Sequence, residues 1–217
     1  MTRSQCRQIA AGYQRRKEMK LSKILGVVAV AALALMAFAS TASATTLDKE
    51  GVKQNATVTI HATLLSGSSI LLADTSNFFA NTCTESTFHL HTNSFTAAGS
   101  NPIGGPILAM TLGKCKEEPV VIDTLGSLTV SWISGTTNGT VRSIGAKVTS
   151  PSPFGALTCT TAASPGTDIG TLTGAPSATG NATLDINAVT NCGFFLPSAK
   201  WTGTYEVTSP LGLRVTE

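Results

Sequence analysis

The sequence predicts an all-β protein, an antiparallel sandwich or barrel-like sandwich of about nine to eleven short strands preceded by a cleaved signal-peptide helix. Three observations carry that expectation. Thr and Ser supply 48 of the 173 residues from Thr45 to Glu217, with 18 Gly, while the long straight side chains that fill amphipathic helices are scarce. Apolar residues recur at every second position in five separate segments, the period that points alternate side chains into a core. Gly and Pro clusters punctuate the chain at short intervals, leaving no helix long enough to cross over between parallel neighbours.

The first element is a leader. From Met19 the chain reads MKLSKILGVVAVAALALMAFASTASATT: Lys20 and Lys23 form a basic start, Ile24 to Ala39 an apolar run, and Ala42-Ser43-Ala44 the small residues that a signal peptidase reads. The apolar run is 16 residues long, short of the ~20 that span a bilayer, and no basic cluster follows it. Cleavage between Ala44 and Thr45 is expected, leaving no stable membrane span. Residues 1–18 read either as a long basic extension or as a translation start placed ahead of Met19; residues 19–44 are the signal peptide, and 45–217 one domain, large enough for a substantial core.

Removing the leader reverses the charge. Residues 1–44 hold seven Lys/Arg and one acid, so the +3 of the whole chain becomes 8 bases against 11 acids beyond Ala44. Nothing basic remains to follow a phosphate backbone, and nucleic acid is not an expected partner.

The strands follow in order. TVTIHATL places Val58, Ile60, Ala62 and Leu64 on one face; SLTVSW opposes Leu128, Val130 and Trp132 to Ser127, Thr129 and Ser131. RSIGAKV reads as one strand with Ile144, Ala146 and Val148 inward, NATLDINA places Ala182, Leu184, Ile186 and Ala188 together, and AKWTGTYEV aligns Trp201, Tyr205 and Val207. Weaker runs lie at Ser69 to Ala73, Ile107 to Leu112, Val120 to Asp123, Ala156 to Thr160 and Gly170 to Thr173. Asn101-Pro102, Gly104-Gly105, Ser164-Pro165-Gly166 and Ala175-Pro176 read as turns. Asn138-Gly139 reads as a hairpin turn joining the Trp132 strand to the Ile144 strand.

Four cysteines lie beyond the leader, an even number that reads as disulfides in an exported protein. Cys83 and Cys159 both stand in Thr-Cys-Thr triplets 76 residues apart, and Cys115 and Cys192 lie 77 apart. This weak internal repeat suggests the pairs Cys83–Cys115 and Cys159–Cys192, among three connectivities that four cysteines allow.

Candidate chemistry is sparse. In FHLHT, inward Phe88 and Leu90 would turn His89 and His91 outward, and His61 sits on the polar face of its own strand. The three read as solvated polar-face residues, or as a weak candidate metal set if those strands are adjacent and in register. No GxSxG, SxxK or HExxH occurs, so no catalytic residue and no cofactor is assigned. Glu117-Glu118 lies in a charged strand end or loop, and Asp123, Asp168, Asp185 and Glu206 are isolated in sequence. Phe78-Phe79 and Phe194-Phe195 are adjacent aromatics; on a strand, one of each pair would face outward and offer a surface for a sugar or a partner.

The ending WTGTYEVTSPLGLRVTE, the stretch SPFGALTCTT and the short Ala-rich leader resemble a group of uncharacterised secreted proteins of soil actinobacteria that close on a WTGTY-VTSP tail. The Thr/Gly-rich, cysteine-paired composition also has a remote likeness to the PraB-type proteins, activators of alkane oxidation associated with extracellular matrix. Neither resemblance implies catalytic residues. The expectation is a secreted, extracellular, non-enzymatic structural or interaction protein of the bacterial cell exterior that associates with itself or other surface components. The alternative is an extracellular small-ligand or carbohydrate-binding module, with a secreted hydrolase ranked third.

Overall fold

The structure is a computed structural model that describes residues 44–54, 56–74, 79–92, 102–153, 155–194 and 196–217. The leader, with its expected helix, lies outside the described residues, as do Phe78 and Phe195. Ala44 and Thr45, which flank the expected cleavage point, are the first two described.

Among the described residues the chain is all-β. Its strands are β1 (Thr46–Lys49), β2 (Val52–Lys53), β3 (Val58–Leu64), β4 (Ile70–Asp74), β5 (Ala80–Thr92), β6 (Ile103–Cys115), β7 (Val121–Thr124) and β8 (Ser127–Trp132). There follow β9 (Gly139–Ile144), β10 (Lys147–Ser152), β11 (Gly155–Thr160), β12 (Thr167–Thr173), β13 (Thr183–Thr190), β14 (Ala199–Ser209) and β15 (Leu213–Thr216).

Eight of these close into an antiparallel barrel in the order β13-β12-β9-β8-β6-β5-β3-β14, with β14 returning to β13. Closure satisfies the backbone groups that an open sheet leaves at its edges, which resolves the choice between sandwich and barrel. One wall position is shared: β3 pairs with the later parts of β5 and β14, and β4 fills the same slot lower down, Ile70 opposite Cys83 and Trp201 opposite Leu72.

Alternation explains the filling of the lumen. Ile60 and Ala62, Phe88 and Leu90, Leu128, Leu184 and Ala188, and Tyr205 and Val207 are all buried on strands whose intervening residues are more exposed. Burying each large apolar side chain contributes about 1.5–3 kcal/mol. Tyr205 is fully buried; its ring meets Phe88 edge-on with centroids 5.0 Å apart. Its Oη lies 2.7 Å from Ser86 Oγ, which also hydrogen-bonds the Thr111 carbonyl.

Two small sheets lie outside the barrel wall. One is β15-β1-β2, which brings Leu47 and Leu213 to the core. The other is β11-β10-β7. β8 pairs with Ile103–Pro106 of β6, and residues of the second small sheet line the space beside Ile107 and Met110, further along β6.

Several expectations are corrected. Among the described residues there are fifteen strands rather than nine to eleven, in part because β1, β2 and β15 are too short to show a period. RSIGAKV is two strands: Gly145 adopts φ +67° and its N–H donates to the Ala162 carbonyl, ending β9 and resetting the alternation. Consequently Val141 and Ser143 are buried and Ile144 is only partly so. Asn138-Gly139 does not centre the hairpin turn; Gly139 already pairs with Trp132, and the chain reverses through Gly135, at φ +76°, with Thr136 N–H donating to Ile133 O. Gly104-Gly105 is not a turn but part of β6. A Cβ on Gly105 would stand 1.8 Å from the His91 carbonyl oxygen, so glycine serves here for close backbone approach.

Candidate functional site

The feature of the fold best suited to function is its lumen, and three elements shape it. Phe88, Leu128 and Leu184, from three different strands, form a belt across the barrel that lines the space on both sides. On one side is a small chamber of about 40 Å³, closed in part by Leu47 and Leu213. On the other is a larger cavity of about 100 Å³ between the barrel wall and the β7-β10-β11 sheet.

The barrel contributes Ile107, Met110, Ile169, Ile186, Trp201 and Tyr205 to the larger cavity, and the small sheet contributes Ile122, Val148 and Cys159. The hydroxyls of Ser143 and Thr161 lie 3.2 Å apart, and Thr161 also accepts the Ala146 N–H. Thr124 and Thr160 line the cavity and are exposed, so they mark its mouth. Among the described residues no carboxylate, imidazole or basic side chain lines it. Tyr205 is the one titratable group among the described lining residues, and burial pushes the phenol up to about 12 although the Ser86 hydrogen bond acts the other way. A neutral phenol already engaged by Ser86 is a poor acid or base near neutrality.

The small sheet is a cap held by identifiable bonds. Asn81 on β5 is buried, and its Nδ2 donates to Ser150 Oγ on β10 and to the Glu117 carbonyl, each at 2.9 Å. Its Oδ1 accepts the Glu117 N–H at 3.0 Å. Cys159 on β11 is disulfide-bonded to Cys192 beyond β13, and Thr160 bridges to Asn191 beside it. The second disulfide, Cys83–Cys115, joins β5 to β6 at directly paired positions. Both pairs are those suggested by the Thr-Cys-Thr spacing. A packed cluster of Leu72, Phe79, Leu157, Cys159, Cys192 and Ala199 fills the space between cap and barrel beyond the cavity.

The remaining candidates are scattered. His61 and His89 are paired across β3 and β5, with His91 on the same outer face, so the adjacency and register a metal set would need are met. Among the described residues, however, no group of three or more His, Cys, Asp and Glu stands where it could hold a metal. Asp123 accepts from Thr149, Asp185 from Thr204, and Glu206 from Asn181. Asp168 is hydrogen-bonded by Arg142 at 2.7 Å, which lowers its pKa, and Glu118 accepts the Cys115 N–H. Phe194 is 92% exposed while Phe79 is buried.

The cavity was not visible in the sequence. Its lining is ordinary core alternation, gathered from the barrel wall and from the β7-β10-β11 sheet, and which strands meet there is set by tertiary pairing. Among the described residues no helix is long and apolar enough to cross a membrane, and two disulfides are compatible with an extracellular location. No protein-family model, curated protein or solved structure matches this chain.

Proposed function

We propose that the protein is a secreted, non-enzymatic binding module that holds one small apolar molecule in the larger chamber of its barrel. The observation that supports this most is the cavity of about 100 Å³, lined almost wholly by apolar side chains and reached past Thr124 and Thr160. Eight-stranded barrels have an interior of the right width to be filled by side chains or to hold one small ligand. An apolar cavity on the order of 150 Å³ stays dry and takes up benzene or xenon, so the chamber suits a ligand of that size or slightly smaller. The lining offers no charge to recognise an ion and few free polar groups to orient a sugar.

The test is thermal unfolding of the secreted chain with benzene or xenon. Saturation at 100 times Kd stabilises by about 2.7 kcal/mol, roughly 5–10 °C for a domain this size. Ala188→Leu, which fills the chamber from β13, should abolish the shift while circular dichroism remains that of a folded β protein. The absence of any saturable shift in the unaltered chain defeats the proposal.

Self-association at the cell exterior is the second reading. Barrel closure protects most strands, but β7 and β11 flank the small sheet, and Val121 on β7 is 46% exposed. Concentration-dependent oligomers in light scattering, lost in Val121→Lys, would favour it.

A further inference from the structure

The outer wall of the barrel carries a feature that the lumen does not use. His61 on β3 lies directly opposite His89 on β5, and their ring centroids are 4.2 Å apart with the planes at 62°. We propose that these two imidazoles form a bidentate site for a divalent cation of the Cu(II) or Ni(II) class, with water completing the coordination. The site is separate from the chamber and does not depend on what the chamber holds.

The centroid separation is compatible with one ion held between the two rings. A metal–nitrogen bond of about 2.0–2.1 Å, with the ring centre roughly 1.1 Å behind the nitrogen, places two cis imidazoles about 4.4 Å apart between centroids. The observed separation is close to this. The barrel also supplies the ordering: β3 is paired on both sides, by β5 and β14, and β5 by β3 and β6. Neither strand can slip or separate without breaking the wall, so binding would order two side chains and no backbone.

The other residues paired with these histidines are small and uncharged. In register, His61 faces Ser209 on its other side and His89 faces Ala109; His91 faces Thr59. No cation stands at any of these positions to compete.

The ligand number selects the metal. Zinc sites use three or four protein ligands, and no such group exists among the described residues. Two cis nitrogens with open positions suit the tetragonal, nitrogen- and oxygen-coordinated geometry of Cu(II) and Ni(II). His91 stands on the same face two residues from His89, but the register places it beside the pair rather than across from His61.

Calorimetric titration of the full secreted chain with Cu(II), read in parallel by paramagnetic resonance, tests the assignment. One equivalent should bind with a two-nitrogen signature. His61→Ala and His89→Ala should each weaken binding roughly 100-fold, because chelation is lost, whereas His91→Ala should change it by less than about fivefold. His61→Gln, which retains a polar side chain at this half-buried position, repeats the first test, and circular dichroism checks that each variant is folded. Wild-type affinity in either His61 variant or in His89→Ala, a loss in His91→Ala equal to theirs, or no saturable binding in the parent overturns the proposal.

Discussion

Asn81 of the barrel and Ser150 of the cap meet through a buried hydrogen bond of 2.9 Å. Asn81 also exchanges hydrogen bonds with both backbone groups of Glu117, so one amide secures two segments of the structure. Asn81→Ala removes a partner of the buried Ser150 hydroxyl and releases two backbone groups of the exposed Glu117, a loss of about 1–3 kcal/mol. Chemical denaturation should show that loss, and the exchange of benzene into and out of the chamber, followed by NMR line shape, should be faster than in the parent. An unchanged exchange rate would mean that the cap does not control access.

The two disulfides divide the same task covalently. Each closes a loop of 32 or 33 residues and stabilises by roughly 3–4 kcal/mol on a chain-entropy account. Cys159→Ser with Cys192→Ser frees the cap and should weaken chamber binding as well as stability. Cys83→Ser with Cys115→Ser acts between neighbouring wall strands and should lower stability with a smaller effect on binding. Denaturation midpoints and probe titrations on the two double variants make the comparison.

Tyr205 predicts an alkaline limit. Its folded-state pKa is raised from 10.0 to about 12 by burial, so between those values the folded protein keeps a proton that the unfolded chain releases. Its contribution to stability is therefore complete below pH 10 and declines as pH rises through about 12, a change on the order of 2–3 kcal/mol. Tyr205 is the only tyrosine after residue 44, and tyrosinate absorbance followed against pH reports it directly. Ionisation near pH 10 with the fold intact would contradict the assignment.

Gly170 tests barrel closure. A Cβ there would lie 1.8 Å from the Asp185 carbonyl oxygen on the neighbouring strand, too close to be relieved without moving backbone. Gly170→Ala should cost about 3 kcal/mol or more, measured as a lower thermal midpoint, with early hydrogen exchange localised to β12 and β13.

Much of the fold was legible because half-buried strands carry their own signature: β3, β8, β13 and β14 match segments marked by alternation to within two residues at each end. Closure was not legible, since it depends on which strands meet. The RSIGAKV error shows the limit. Its apolar residues alternate across Gly145, and nothing local reveals that the glycine turns the chain into a different sheet. The cysteine pairs were legible through their repeated triplets. The histidine adjacency could only be posed as a condition, because a cross-strand neighbour is named by register and not by sequence distance.

The belt of Phe88, Leu128 and Leu184 has a further consequence. Phe88→Ala should cost about 3–5 kcal/mol and join the two chambers, so that larger apolar probes shift the melting temperature where they did not before. In the intact protein the partition makes a building of two storeys: a tightly furnished one beside β1 and β15, and a roomier one beneath the cap. Residues of the second can be exchanged for a differently shaped guest while the first keeps the walls upright, so affinity and durability are open to separate adjustment.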